Sequence, residues 1–290
     1  MRVLVTGRGG QVATSIEERA PAGMELLFVD RPEFDLADAA SIERVVAAFG
    51  PDLVLSTAAY TAVDKAEDEP DLAMAVNGIG PGVLARAARE ARAPIIHLST
   101  DYVFAGTLDR AYREDDPTGP IGVYGITKLA GEDAVRASGA DYAIVRTSWV
   151  YSPFGANFVK TMLRVAGERD TLTVVADQYG CPTSALDIAD ALFAIVATWS
   201  AQKGNGANGL YHFAGTGDTS WAGLAREVFA SSATLGGPVA TVTDVSTAEW
   251  PTKAVRPANS RLDSSAFKDA FGYSSPPWQQ SVREVVARLV

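Results

Sequence analysis

Apolar positions in the first half of the chain alternate between two textures. Short, β-branched, nearly continuous runs occupy residues 3–6, 26–30, 53–58, 95–99 and 143–147. Between them, apolar residues recur at helical spacing over 12–20, 39–49, 73–91 and 124–137. Strands that lack polar alternation and are separated by amphipathic helices make a parallel sheet covered on both faces. The expected class is α/β, a doubly wound parallel sheet in which ligands gather beyond the carboxyl ends of the strands.

Past residue 150 the punctuation thickens. Gly, Pro and Asn crowd 152–157 and 203–209, and shorter strand patterns at 172–175, 211–213 and 239–245 interleave with helical patterns near 187–198, 221–231 and 278–289. The expected division is a nucleotide-binding domain over 1–150 and a smaller C-terminal substrate-binding lobe over 151–290, from which a strand can return to the main sheet. No internal repeat or low-complexity tract is visible.

Composition narrows the class. With 47% hydrophobic and 21% charged residues, the chain has the make-up of a soluble globular protein with a large core. No apolar run approaches the ~18 residues of a membrane helix. The N-terminus enters a strand and a glycine turn directly, without the basic, apolar and small-residue segments of a secretory leader. The lone Cys181 cannot form an internal disulfide, which suits a reducing compartment, so a cytoplasmic protein is expected. A formal net charge of −10 repels polyanions, and neither nucleic acid nor membrane is an expected partner. A small anionic ligand remains open, because backbone N–H groups at a helix start can hold a diphosphate.

Such a turn follows the first strand. Gly7-Arg8-Gly9-Gly10-Gln11-Val12-Ala13 leads into a helix, with glycines that permit a tight turn and close approach to a pyrophosphate. Asp30 ends the second strand, 20 residues after Gly10, where an acidic residue hydrogen-bonds the adenosine ribose of a Rossmann-type cofactor. Arg31 beside it is able to take a 2′-phosphate. Asp30 argues for NADH and Arg31 for NADPH, and both stay open here. The third strand ends in Ser56-Thr57-Ala58-Ala59-Tyr60, small residues that let a cofactor lie against the backbone.

Tyr124-Gly125-Ile126-Thr127-Lys128 opens a helix and places Tyr124 and Lys128 one turn apart on one face. A free phenol has a pKa of about 10, and a nearby ammonium is expected to lower it. The fourth strand ends in Leu98-Ser99-Thr100-Asp101, where a hydroxyl at the mouth of the sheet can meet a substrate carbonyl; Thr100 is the choice and Ser99 its competitor. Glycine turn, Asp30, Thr100 and Tyr124/Lys128 stand in the order and spacing of a short-chain dehydrogenase.

The chain resembles one family of that type almost end to end, the dTDP-4-dehydrorhamnose reductases. The narrowest likenesses are Thr61-Ala62-Val63-Asp64-Lys65-Ala66-Glu67 and Arg146-Thr147-Ser148-Trp149-Val150-Tyr151. Others are Ser99-Thr100-Asp101-Tyr102-Val103-Phe104, the stretch from Val123 to Glu132, Asp177-Gln178-Tyr179-Gly180-Cys181-Pro182-Thr183, Gly209-Leu210-Tyr211-His212 and Arg256-Pro257-Ala258-Asn259-Ser260-Arg261-Leu262. The resemblance implies reduction of dTDP-4-dehydro-6-deoxy-L-mannose to dTDP-L-rhamnose with NADPH or NADH. It puts Gly7, Gly10, Gln11 and Val12 at the cofactor diphosphate, Asp30 and Arg31 at the ribose, Asp35 and Leu36 by the adenine, and Ala59, Tyr60 and Thr61 along the cofactor's middle. Tyr124 becomes the proton donor and Lys128 a contact of the nicotinamide ribose. Thr100, Asp101 and Trp149 contact the sugar, and Arg256, Asn259 and Ser260 the nucleotide side.

Some members of that family hold Mg²⁺ between subunits through glutamates, one on the first helix. The matching position here is Ser15, with Glu17 and Glu18 nearby, so that metal does not carry over directly; a homodimer stays open. Two other readings are a related sugar-nucleotide epimerase or dehydratase and a non-catalytic regulatory subunit of the same fold. A dehydratase commonly has an Asp-Glu pair after the Thr100 position, where this chain has Asp101 and Tyr102. An intact Thr100/Tyr124/Lys128 set favours an enzyme over a regulatory subunit.

Overall fold

The computed structural model describes residues 1–201 and 208–290; positions 203–207 of the glycine-rich stretch noted above lie outside the described residues. A parallel six-stranded sheet runs in the spatial order Gly209–His212, Tyr142–Thr147, Ile95–Thr100, Leu53–Ser56, Arg2–Thr6, Glu25–Val29. The chain begins in Arg2–Thr6, steps outward to Glu25–Val29, then returns and builds the other way from Leu53–Ser56. The strand order reverses between Arg2–Thr6 and Leu53–Ser56, and a crevice opens at such a reversal.

Both faces of the sheet are buried, which explains the unbroken apolar runs. Val3, Val5, Leu55, Ile96 and Val145 pack on one face against Ile16, Ile188, Leu192 and Ile195. Leu4, Val54, Ile95 and Ile144 point to the other, against Ile42, Val46, Leu84 and Val135. Each fully buried aliphatic side chain of this kind contributes about 1.5–3 kcal/mol. The first face is covered by helix Ala185–Ala201, and the sheet's outer strand is Gly209–His212, so the chain returns to this layer well after residue 150.

The amphipathic stretch at 73–91 is not one helix. It forms Pro70–Met74, a π-turn Ala75–Ile79 and Gly80–Glu90. A Cβ on Gly80 would lie 2.4 Å from the Leu36 carbonyl oxygen, so close packing on that loop accompanies the break. π-Turns re-aim side chains, and this one carries the buried Asn77.

Beyond the sheet, helices Phe158–Ala166, Trp221–Thr234 and Trp278–Ala287 share a separate core built on Val159, Leu186, Leu224, Val228 and Val282. Thr171–Val175 and Thr241–Val245 form a two-stranded parallel sheet; the pattern at 239–245 is strand only from Thr241. Tyr179–Gly180 lies between Thr219–Ser220 and Asn259–Ser260 in a three-stranded sheet. Among the described residues no helix is long and apolar enough to cross a membrane.

Candidate active site

The glycine turn closes on itself and leaves a helix start open. Gly7 and Gly9 have φ of +89° and +77°, left-handed backbone that glycine adopts without a Cβ penalty. A Cβ on Gly7 would also stand 3.1 Å from the Ala58 Cα, so two loops approach closely there. Gly10 donates its N–H to the Gly7 oxygen at 3.0 Å and precedes helix Gln11–Arg19. The first N–H groups of that helix lack intrahelical partners and suit an anion.

Three cavities line up along the carboxyl ends of the strands. A 290 Å³ cavity is lined by Asp30, Arg31, Asp35, Leu36, Ala59 and Tyr60. A 560 Å³ cavity runs from Gly10, Gln11 and Val12 past Thr61 to Tyr124 and Lys128. A 420 Å³ cavity is lined by Thr100, Asp101, Tyr124, Trp149 and Trp221. The first two share Gly7 and Ala58, and the last two share Gln11 and Tyr124, so they form one trench.

Tyr124 sits at the junction of the second and third cavities. Its helix, Val123–Arg136, is capped by the Glu67 carboxylate, which accepts the Val123 N–H at 2.9 Å and favours the positive helix end. The same helix presses on the end of the fourth strand: a Cβ on Gly125 would be 2.2 Å from the Tyr102 oxygen, so only glycine fits. Thr100 accepts the Tyr102 N–H at 3.2 Å and donates to the Asp101 Oδ1 at 2.9 Å. Burial pushes the Asp101 carboxyl up to about 6 against the Ser260 and Thr100 hydroxyls, and its Oδ2 has no partner among the described residues.

The two hydroxyls at this strand end have different partners. Ser99 donates to the buried Glu132 at 2.6 Å and is thereby engaged; Thr100 faces Tyr124. The expected effect of Lys128 on the phenol is corrected. Burial, with the Asp101 charge behind it, raises Tyr124 to about 12, and only the Thr100 hydroxyl opposes this. Lys128 is 3% exposed and turns its Nζ to the Leu98 carbonyl at 2.6 Å, so no ammonium–phenol bond offsets the desolvation. Burial also lowers Lys128 to about 8, against the pull of Glu132.

Trp149 reaches the trench at a cost. Its φ of +48° is left-handed backbone, worth about 1–3 kcal/mol of strain for a bulky residue. Arg256 and Asn259 do not line any of the three cavities. Arg256 pairs with Asp64 at 2.7 Å. Asn259 donates to the Leu108 and Arg110 oxygens and accepts from Arg261, so its whole amide braces a loop. Ser260 lies beside Asp101.

Ser15 and Glu18 of the first helix do not fit a shared Mg²⁺. Ser15 is buried and donates to the Gln11 carbonyl; Glu18 is gripped by Arg288 through both oxygens at 2.7 Å, and Arg19 holds Glu284 at 2.8 Å. Carboxylates already matched to guanidinium groups are poor cation ligands.

A family model described as RmlD substrate binding domain matches residues 1–290. The dTDP-4-dehydrorhamnose reductase of Sinorhizobium fredii is 47% identical over 290 residues, covering 100% of this chain and 98% of that protein. Its Escherichia coli counterpart is 40% identical, with 100% and 98% covered. The chain belongs to the dTDP-4-dehydrorhamnose reductase family. Among solved members, the Bacillus anthracis reductase in complex with NADP has a TM-score of 0.91 at 34% identity, covering 99% of this chain and 98% of that one.

Several contacts and residues around this reductase trench escape a reading of the sequence, among them the cross-lobe bonds of Gln11. Gln11 accepts from Ser152 and Asn157, each at 2.9 Å, and so ties the glycine turn to the C-terminal lobe. Asn77 accepts the Tyr60 N–H at 2.8 Å and donates back to its oxygen, fixing the 59–61 loop; only the π-turn aims it there. Arg8 lines the same cavity as Arg31, its guanidinium donating to the Phe28 carbonyl at 2.6 Å. Trp221 had stood out only as a helix start.

Proposed function

We infer that this chain reduces dTDP-4-dehydro-6-deoxy-L-mannose to dTDP-L-rhamnose with NAD(P)H, the last step of dTDP-L-rhamnose biosynthesis. The observation that carries it is the place of Tyr124, at the junction of a dinucleotide-sized cavity and a sugar-sized one, with Thr100 and Lys128 beside it. The first 150 residues hold the cofactor, and the later ones hold the sugar nucleotide while lending a strand and a helix to the main sheet.

The close-approach glycine turn and the free helix start fit a dinucleotide diphosphate, with Asp30 and Arg31 at the ribose and Ala59, Tyr60 and Thr61 along the middle. When bound, the nicotinamide supplies a hydride to C4 of the keto sugar. Tyr124 gives its proton to the O4 oxygen as negative charge builds there. The raised phenol pKa keeps Tyr124 protonated at neutral pH, and an alkoxide is the stronger base, so transfer is downhill. Thr100 orients the same carbonyl oxygen by turning its one hydroxyl proton to it from the Asp101 Oδ1 that accepts it at 2.9 Å. Lys128, buried and charged below about pH 8, holds the ribose side.

Turnover should consume NAD(P)H in step with dTDP-4-keto-6-deoxy-L-mannose, and matched UDP- and GDP-sugars should fail; no consumption would reject the reading. Asp30 disfavours a 2′-phosphate and Arg31 attracts it, so kcat/KM for the two cofactors should differ by less than about tenfold. Arg31→Ala weakens NADPH selectively and Asp30→Ala weakens NADH. Equal losses for both cofactors in Arg31→Ala would mean that Arg31 points elsewhere.

A pH dependence follows from Lys128. Its folded value lies below the ordinary lysine range, so its charge is lost as pH rises through about 8. The kcat/KM for cofactor, which reports the free enzyme, should fall across that window. Lys128→Met should start low and show no such limb; an unchanged limb in this variant would assign the titration to another group.

A further inference from the structure

The 177–183 block has no part in the chemistry above, yet it converges on the sugar-side cavity. Trp149 and Trp221 stack there with ring centroids 3.6 Å apart and planes 8° from parallel. Phe158 lies against the far side of Trp221 at 4.8 Å. A Cβ on Gly180 would fall 2.4 Å from the Trp149 Cε2, so the indole occupies space that any other residue would fill. Trp221 donates its Nε1–H to the Gln178 Oε1 at 3.2 Å.

The polarity of that bond is set from a distance. The Asp177 carboxylate can only accept, so the Thr247 hydroxyl donates to it, at 2.7 Å. That hydroxyl then accepts from the Gln178 Nε2 at 3.0 Å, which leaves Gln178 Oε1 facing Trp221. Gln178 is 5% exposed, and flipping its amide would set two donors against each other at Trp221 and two acceptors against each other at Thr247.

We propose that the Asp177–Thr247–Gln178 chain locks Trp221, and through it the strained Trp149, as the aromatic wall of the sugar-side cavity, making Gln178 and Trp221 positioning residues for the sugar nucleotide. The wall lines the same cavity as Thr100, Asp101 and Tyr124, where the apolar face of a deoxysugar can rest while its carbonyl meets Tyr124. Neither residue lines the cofactor cavities. The proposal rests on the reductase reading given above.

Wild-type protein is compared with Gln178→Leu, Trp221→Phe and Trp221→Leu. The readouts are the circular-dichroism exciton couplet of the stacked indoles, the Kd for NADPH, and KM and kcat for the dTDP-linked keto sugar. Gln178→Leu weakens the couplet and raises the sugar-nucleotide KM about tenfold, while kcat and the NADPH Kd stay within about twofold. Trp221→Leu abolishes the couplet and raises KM further; Trp221→Phe, with an aromatic face but no N–H, falls between wild type and Trp221→Leu in KM. Should Gln178→Leu not fold, the two Trp221 variants decide. A lost couplet with an unchanged KM overturns the proposal, and so does a parallel rise in KM and NADPH Kd, the mark of a generally loosened lobe. A wild-type protein that shows the couplet but turns over no keto sugar overturns the reductase reading itself, and the proposal falls with it; this outcome is distinct from the other two.

Discussion

Tyr124→Phe lowers kcat by about 10²–10⁴-fold and leaves NADPH binding near normal, the range that general-acid assistance typically contributes. The phenyl ring keeps the shape of the trench junction, while the proton for O4 disappears. Neighbouring hydroxyls do not replace it well: Thr100 is a far weaker acid and already donates to Asp101, and Ser99 is held by Glu132. Lys128 is directed at the Leu98 carbonyl rather than toward the phenol. Steady-state turnover of the keto sugar alongside a fluorescence titration with NADPH makes the test. Turnover within about tenfold of wild type would remove Tyr124 from the acid role.

The largest stability loss is expected at Glu132. Its side chain is 0% exposed and Arg146 is 2% exposed; two bonds of 2.8 and 2.7 Å join them, with Ser99 and Arg136 as further donors. Burial pulls the Glu132 carboxyl upward, but Arg146, Ser99 and Arg136 outweigh it and hold it below the usual carboxylate range. The pair therefore stays charged at neutral pH, and its contribution is lost as pH falls into acid. Glu132→Leu strands a guanidinium whose Nη1 already lacks a partner among the described residues, at a cost of about 3–5 kcal/mol. Glu132→Leu combined with Arg146→Met should cost much less, because no buried guanidinium is then left unpaired. Urea unfolding of both variants measures this; equal losses in single and double variants would show that lost packing, not stranded charge, dominates.

The same network shows why the site was only partly readable. Ser99 and Thr100 are adjacent hydroxyls on a strand end, and nothing local says which one the 123–136 helix claims. Glu132 takes up Ser99 from 33 positions away. For Tyr124 and Lys128 the helical spacing was correct, yet the sign of the phenol's shift was not, because burial depends on everything packed around the pair. Asn259 stands in a family motif, but its amide meets the oxygens of Leu108 and Arg110, about 150 positions earlier.

Hydrophobic periodicity and turn chemistry are local properties, and by themselves they determined the strands and most helices of the sheet layer, the glycine turn and the helical spacing of Tyr124 and Lys128. Tertiary structure alone decided the break at 75–79, the return of Gly209–His212 to the sheet, the pairing of Ser99 with Glu132 and the stacking of Trp149 on Trp221. Each of these rests on contacts between residues far apart in the chain, such as Gln178 with Trp221 or Gly80 with Leu36. Desolvation and close approach act through space, so a pattern read along the chain registers the residue types but not which of them meet.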